Sequence, residues 1–152
     1  MPAAPLVSSR LIVNERAGQW AVAAKRLLRG SGVAVCQTRT ATQCRQELAA
    51  SPASVVALEL TAGNLPTVLA LLVAGARSFP QARFLVLAAR GDEPCEMRLR
   101  QAGEVHVAYS PARLASAAAL VRRHVGAAPR REMTLRETIW SRLPWAGSMA
   151  TT

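Results

Sequence analysis

Five short apolar runs recur along the chain: Leu11-Ile12-Val13, Val33-Ala34-Val35-Cys36, Val55-Val56-Ala57-Leu58, Phe84-Leu85-Val86-Leu87 and Val105-His106-Val107-Ala108. Most are continuous and β-branched rather than alternating, the pattern of strands buried on both faces of a parallel sheet.

Segments long enough for crossover helices lie between them. Residues 19–29 place Trp20, Ala24, Leu27 and Leu28 on one stripe, and Gly30-Ser31-Gly32 ends it. Thr40 with Gln43 fits a capping box that opens a second helix, stopped at Ser51-Pro52. Asn64 can cap a third helix through Val68, Leu69, Leu72 and Ala76, closed by Phe79-Pro80. Asp92 can cap a fourth, with Pro94 in its first turn and Gly103 at its end. Ser110-Pro111 reads as N-cap and first position of a fifth, through Leu114, Ala118, Val121 and Val125.

Strand and helix alternating in this way predict an α/β fold, a doubly wound, five-stranded parallel sheet with helices on both faces. The expected division is an N-terminal extension over 1–8, one domain over 9–126, and a linker with a C-terminal tail over 127–152. The tail holds two of the three tryptophans. Thr134 with Glu137 forms a capping box there, Leu135 and Ile139 fall on one helical face, and Pro144 ends the pattern. Trp140, Leu143 and Trp145 are candidate anchors for a partner's groove; the alternative is that this segment folds back on its own domain.

Composition adds limits. Of 152 residues 51% are hydrophobic, enough for a sizeable core, and aromatics are only 4%, so Ala, Val and Leu fill it. The net charge is +10, and Lys25 is the single lysine among 19 basic residues. Anionic partners are compatible with this balance. The arginines are scattered in sequence, however, with no block of five or six, so nucleic-acid binding is expected only as non-specific attraction. Cys36, Cys44 and Cys95 form neither a CxxC pair nor a metal-ligand spacing. The N-terminus lacks the pattern of a signal peptide. The longest charge-free stretch, 60–76, is broken by Gly63, Asn64 and Pro66 and falls short of a membrane span. A cytoplasmic protein with no membrane partner is the expectation.

Over about residues 9–126 the sequence resembles a response-regulator receiver (CheY-like) domain. Leu11-Ile12-Val13-Asn14-Glu15 stands where receivers carry an apolar strand ending in an acidic pair. Val55 to Leu60 resembles the strand bearing the phospho-accepting Asp, and Phe84 to Asp92 the fourth strand with its loop. Ala102-Gly103-Glu104, then Ser110-Pro111, resembles the family's Ala-Gly-Ala stretch leading to Lys-Pro. The resemblance implies a flavodoxin-like topology, with ligands taken at the carboxyl ends of the strands. It also implies partner contact through the fourth strand, fourth helix and fifth strand, near Arg98, Arg100 and Tyr109.

Every functional position departs from the family pattern. The acidic pair is Asn14 and Glu15, the phospho-acceptor is Glu59, the hydroxyl residue is Ala88, the clamping Lys is Ser110, and the switch aromatic is Val107. Asp92 is the only Asp in the chain. Phosphoryl transfer needs charge neutralisation by metal and cation, which these residues supply poorly. Glu59 reads either as a phosphoryl mimic or as a polar strand-end residue. Cys36 lacks a neighbouring base, and two histidines give no metal cluster. The expectation is therefore a pseudo-receiver: no catalytic residue, no metal, no cofactor, and an unknown protein partner, with dimerisation left open. The alternative is an Arg-rich nucleic-acid-binding adaptor.

Overall fold

The structure, a computed structural model, describes residues 8–88, 93–102 and 105–128. Five strands, β1 (Leu11–Asn14), β2 (Val35–Thr38), β3 (Val55–Glu59), β4 (Arg83–Leu87) and β5 (Val105–Ala108), form one sheet in the order β2-β1-β3-β4-β5. Every pairing is parallel, and Leu11 registers with both Val35 and Val55. The helices are α1 (Gln19–Leu27), α2 (Ala41–Ala50), α3 (Leu65–Ser78), α4 (Glu93–Ala102) and α5 (Leu114–Ala127). This is the expected doubly wound α/β fold.

Period-two alternation within buried strands divides the core in two. Leu11, Val13, Val55, Ala57, Leu85 and Leu87 face α1 and α5, meeting Trp20, Ala24, Leu114 and Val121. Ile12, Val56, Leu58, Phe84 and Val86 face α2, α3 and α4, meeting Cys44, Leu48, Val68, Leu72 and Leu99. Among the described residues no helix is long and apolar enough to cross a membrane.

Several details differ from the sequence expectation. β2 covers Val35–Thr38 rather than the apolar run 33–36, because Gln37 and Thr38 pair with Val13 and Asn14 on a sheet edge that tolerates polar side chains. The Thr40 hydroxyl does accept from the Gln43 N–H at 3.1 Å, while the Gln43 amide oxygen accepts from the N–H of Arg39. Asn64 sits at the N-cap of α3 but makes no side-chain cap bond. Its oxygen accepts from the Thr61 N–H at 2.7 Å and its amide donates to the Glu59 carbonyl at 2.8 Å, so it ties the β3–α3 turn instead. The inner face of α3 carries Gly75, whereas Ala76 is exposed. At Ser110 a 3₁₀ turn, Pro111–Arg113, precedes α5, and Ser110 makes no cap bond. Helix α5 continues through Gly126 to Ala127. Asp92, Gly103 and the whole tail fall outside the described residues.

Gly75 shows how tightly α3 approaches the sheet. A Cβ there would meet Phe84 Cζ at 2.3 Å, well inside contact distance. Gly→Ala in an open helix position is stabilising by roughly 0.5–1 kcal/mol. Here overpacking reverses the sign: Gly75→Ala is expected to destabilise by about 1–3 kcal/mol in urea unfolding. Adding Phe84→Leu should give a less than additive loss, because the smaller side chain makes room for the methyl group.

Candidate functional site

Strand order reverses between β1 and β3, so the fold opens its crevice at the carboxyl ends of those two strands. The chain leaves β1 through Asn14, Glu15 and Arg16 and turns at Gly18, whose φ of +88° lies in the left-handed region open to glycine. Gly18 is the N-cap of α1 and brings no side chain to the helix's free N–H groups.

Glu15 supplies them with an acceptor. Its side chain is buried, and its two oxygens accept from the N–H groups of Trp20 at 2.9 Å and Ala21 at 2.7 Å. Both bonds are charge-assisted and lie at the positive end of the helix dipole, which offsets the cost of burying the carboxylate. The Glu15 N–H donates to the Thr38 carbonyl at 3.1 Å, fixing the backbone as well. The second residue of the expected acidic pair is thus the cap of α1.

Asn14 is half-buried, and its amide oxygen accepts from the Thr38 hydroxyl at 3.1 Å. Glu59 ends β3 half-buried, with Oε1 3.4 Å from the Arg16 N–H, and Arg39 Nη1 donates to the Arg16 carbonyl at 3.3 Å. These contacts strap β2, β1 and β3 together across the top of the crevice. Ala88 is buried, and its N–H is taken by the Ala108 carbonyl at 2.8 Å. Ser110 is half-buried before the 3₁₀ turn. Asn14, Glu15 and Glu59 thus lie at the carboxyl ends of β1 and β3, and Ala88 and Ser110 follow β4 and β5 at the same end of the sheet.

An intact acidic pair of the receiver pattern would bind Mg²⁺; the donor set found here does not fit that ion. Magnesium holds near-octahedral geometry with oxygen ligands and binds through one or two carboxylates. Both oxygens of Glu15 are already committed to α1, and Asn14 is neutral, which leaves Glu59. Among the described residues no three His, Cys, Asp or Glu side chains come together as a metal site. An apolar void of about 10 Å³ lies between Val13, Trp20, Leu87 and Leu114, too small and dry for a ligand.

Val107 is half-buried and packs toward α4. Two places on, Tyr109 faces the same side, and its hydroxyl donates to Glu96 of α4. Arg100 grips that carboxylate as well, at 2.6 Å. The Tyr109 bond, then Arg100, hold the Glu96 carboxyl below its usual pKa range. The sequence pattern placed Arg100 and Tyr109 near this face but missed their common partner; the spacing of Glu96 and Arg100 on one helix was the available signal.

Cys36 lies half-buried on β2, its thiol pKa pushed up by burial first, with Arg10 opposing. Burial pushes Cys44 up to about 11. Neither shift favours a reactive thiolate. Trp140, Leu143 and Trp145 lie outside the described residues.

No protein-family model matches the chain, and no curated protein matches it in sequence. Solved structures do. A CheY-like protein (tadZ) of Pseudomonas aeruginosa superposes with a TM-score of 0.62 at 17% identity, over 83% of this chain and 100% of that one. A protein of Burkholderia pseudomallei described as pilus assembly-related superposes with a TM-score of 0.51 at 20% identity, over 82% and 94%.

The cap role of Glu15 has a measurable consequence. Glu15→Gln sets an amide donor against one of two N–H donors and is expected to cost about 1–3 kcal/mol in urea unfolding. Glu15→Ala should cost at least as much, whereas Arg16→Gln, exposed next door, should stay within roughly 0.5 kcal/mol. Taken together, the strand order and the superpositions describe a chain with a CheY-like receiver fold.

Proposed function

We propose that this chain is a phosphorylation-independent receiver-like module that works by binding another protein and performs no catalysis. The observation that carries the proposal is Glu15: its carboxylate holds the first turn of α1 and is not free to hold a metal. Ala88 lacks the hydroxyl, and Ser110 the cation, that would stabilise a transferred phosphoryl group at those positions. Glu59 in this reading is a polar strand end tied to the β1–α1 loop rather than a phosphoryl mimic.

Partner contact is assigned to the face made by α4 and β5. Tyr109, Glu96 and Arg100 stiffen that face, and Met97 stands 70% exposed on α4, an adaptable apolar side chain suited to a protein contact. One structural neighbour is described as pilus assembly-related, which makes such an assembly the first place to look for the partner.

The test is inertness to phosphodonors. Incubation with acetyl phosphate, or with beryllofluoride and Mg²⁺, should leave the intact mass unchanged and the amide signals of Arg16, Glu59 and Leu60 unshifted. A stoichiometric phosphoryl adduct, or saturable shifts centred on Glu59, would overturn the proposal.

A further inference from the structure

The basic residues, scattered in sequence, are sorted by the fold. Parallel strands put all their amino ends on one side of the domain, and the crossover helices finish there. The last turn of α1 brings Lys25 and Arg26, and the turn after it Arg29. Helix α3 ends with Arg77, β4 begins with Arg83, and the last part of α5 carries Arg122 and Arg123. Arg122 reaches the Leu27 carbonyl at 2.6 Å, and His124 lies 2.9 Å from the Ala53 carbonyl beside the start of β3, so the ends of α1, α5 and β3 adjoin. The Arg83 N–H donates to the Ser54 carbonyl at 3.2 Å, continuing the same edge.

These seven side chains are all exposed, and none has an ion pair among the described residues. The acid found at this end, Glu47, is paired with Arg10. In sequence Glu104 directly precedes β5, one further acid against seven cations. Cations favour helix C-termini. That preference covers Lys25, Arg26 and Arg77, but neither Arg83 at a strand start nor the scarcity of acids. The opposite end is mixed, with Arg16, Arg39 and Arg113 beside Glu15, Glu59 and Glu96.

We infer that this amino-end face docks on the surface of an anionic lipid bilayer. Peripheral attachment of this kind requires no spanning segment, and it usually takes two signals, a polybasic patch and an apolar anchor. The second signal is in the sequence that follows. Helix α5 ends on this face, and residues 129–152 carry Arg130, Arg131, Arg136 and Arg142 interleaved with Leu135, Ile139, Trp140, Leu143 and Trp145. Tryptophan beside arginine is the composition of a membrane–water interface.

Nucleic acid fits the face less well. The cations are spread over several element ends rather than lined along a groove-sized helix. The helices also point their C-terminal dipoles outward, so phosphate would be met by long side chains alone. The inference stands apart from the phosphorylation question, since it uses none of the crevice residues.

The full-length protein tests it by co-sedimentation with phosphatidylcholine vesicles, with and without about 30% phosphatidylglycerol, at roughly 150 mM salt. Binding should require the anionic lipid. The variant Lys25→Glu/Arg26→Glu/Arg29→Glu should weaken it about a hundredfold, at roughly a fivefold loss per removed cation. Arg16→Glu/Arg39→Glu/Arg113→Glu removes the same charge from the opposite end and should change binding by less than about twofold. Trp140→Ala/Trp145→Ala should weaken binding and abolish a blue shift of tryptophan emission on vesicles, since Trp20 is already buried. Equal losses in the two charge variants, or absence of lipid binding at this salt, would overturn the inference. So would retention of duplex DNA in place of vesicles under the same conditions. Unchanged binding by the tryptophan variant would overturn the part assigned to the tail.

Discussion

A buried carboxylate has to be satisfied by charges or dipoles, and in this chain that requirement links the core to the crevice. Glu15 is 3% exposed and gives both oxygens to the N–H groups of Trp20 and Ala21. Gly18 makes the turn that allows this and leaves the helix start without a side-chain cap of its own. The first turn of α1 is thereby set against the sheet, with Trp20, Ala21 and Ala24 among Leu11, Val13 and Leu87. Remove the acceptor and the helix loses its start where the core on that face begins. The carboxylate that follows β1 thus holds α1 in place.

Much of the fold was legible because hydrophobic patterning is a local signal. Apolar runs, most of them continuous and β-branched, marked the five strands, and stripes such as Trp20, Ala24 and Leu28 marked the helices between them. Edges were less legible. Gln37 and Thr38 join β2 because they pair with β1, which their own chemistry does not announce. Type and position make Asn64 a cap, yet its side chain closes the preceding turn, since turn and cap compete for the same amide. Spacing puts Glu15 directly after the first strand. It does not reveal what Glu15 does there, because its partners are backbone N–H groups, which no side-chain pattern records.

A doubly wound sheet sorts residues by where they fall along each strand–helix unit. Residues after strands collect at the carboxyl end, and residues before strands collect at the amino end. The first end holds Ser110 together with Asn14, Glu15, Glu59 and Ala88, which are bonded to Thr38 or to neighbouring backbone groups. The second holds exposed cations from α1, α3, β4 and α5, gathered from positions up to about a hundred residues apart. Charge clustering of this kind is invisible to a scan for basic blocks. The two surfaces proposed for binding, the α4–β5 face and the basic end, use none of the crevice residues.

The direct measurement of the central claim is a Mg²⁺ titration of the protein followed through the backbone amide signals of Glu15, Trp20 and Ala21. If Glu15 is the cap of α1, the Trp20 and Ala21 signals stay in place and their hydrogen exchange remains slow up to millimolar Mg²⁺. Saturable displacement of those signals, with faster exchange as the metal draws the carboxylate away from the helix, would contradict the account.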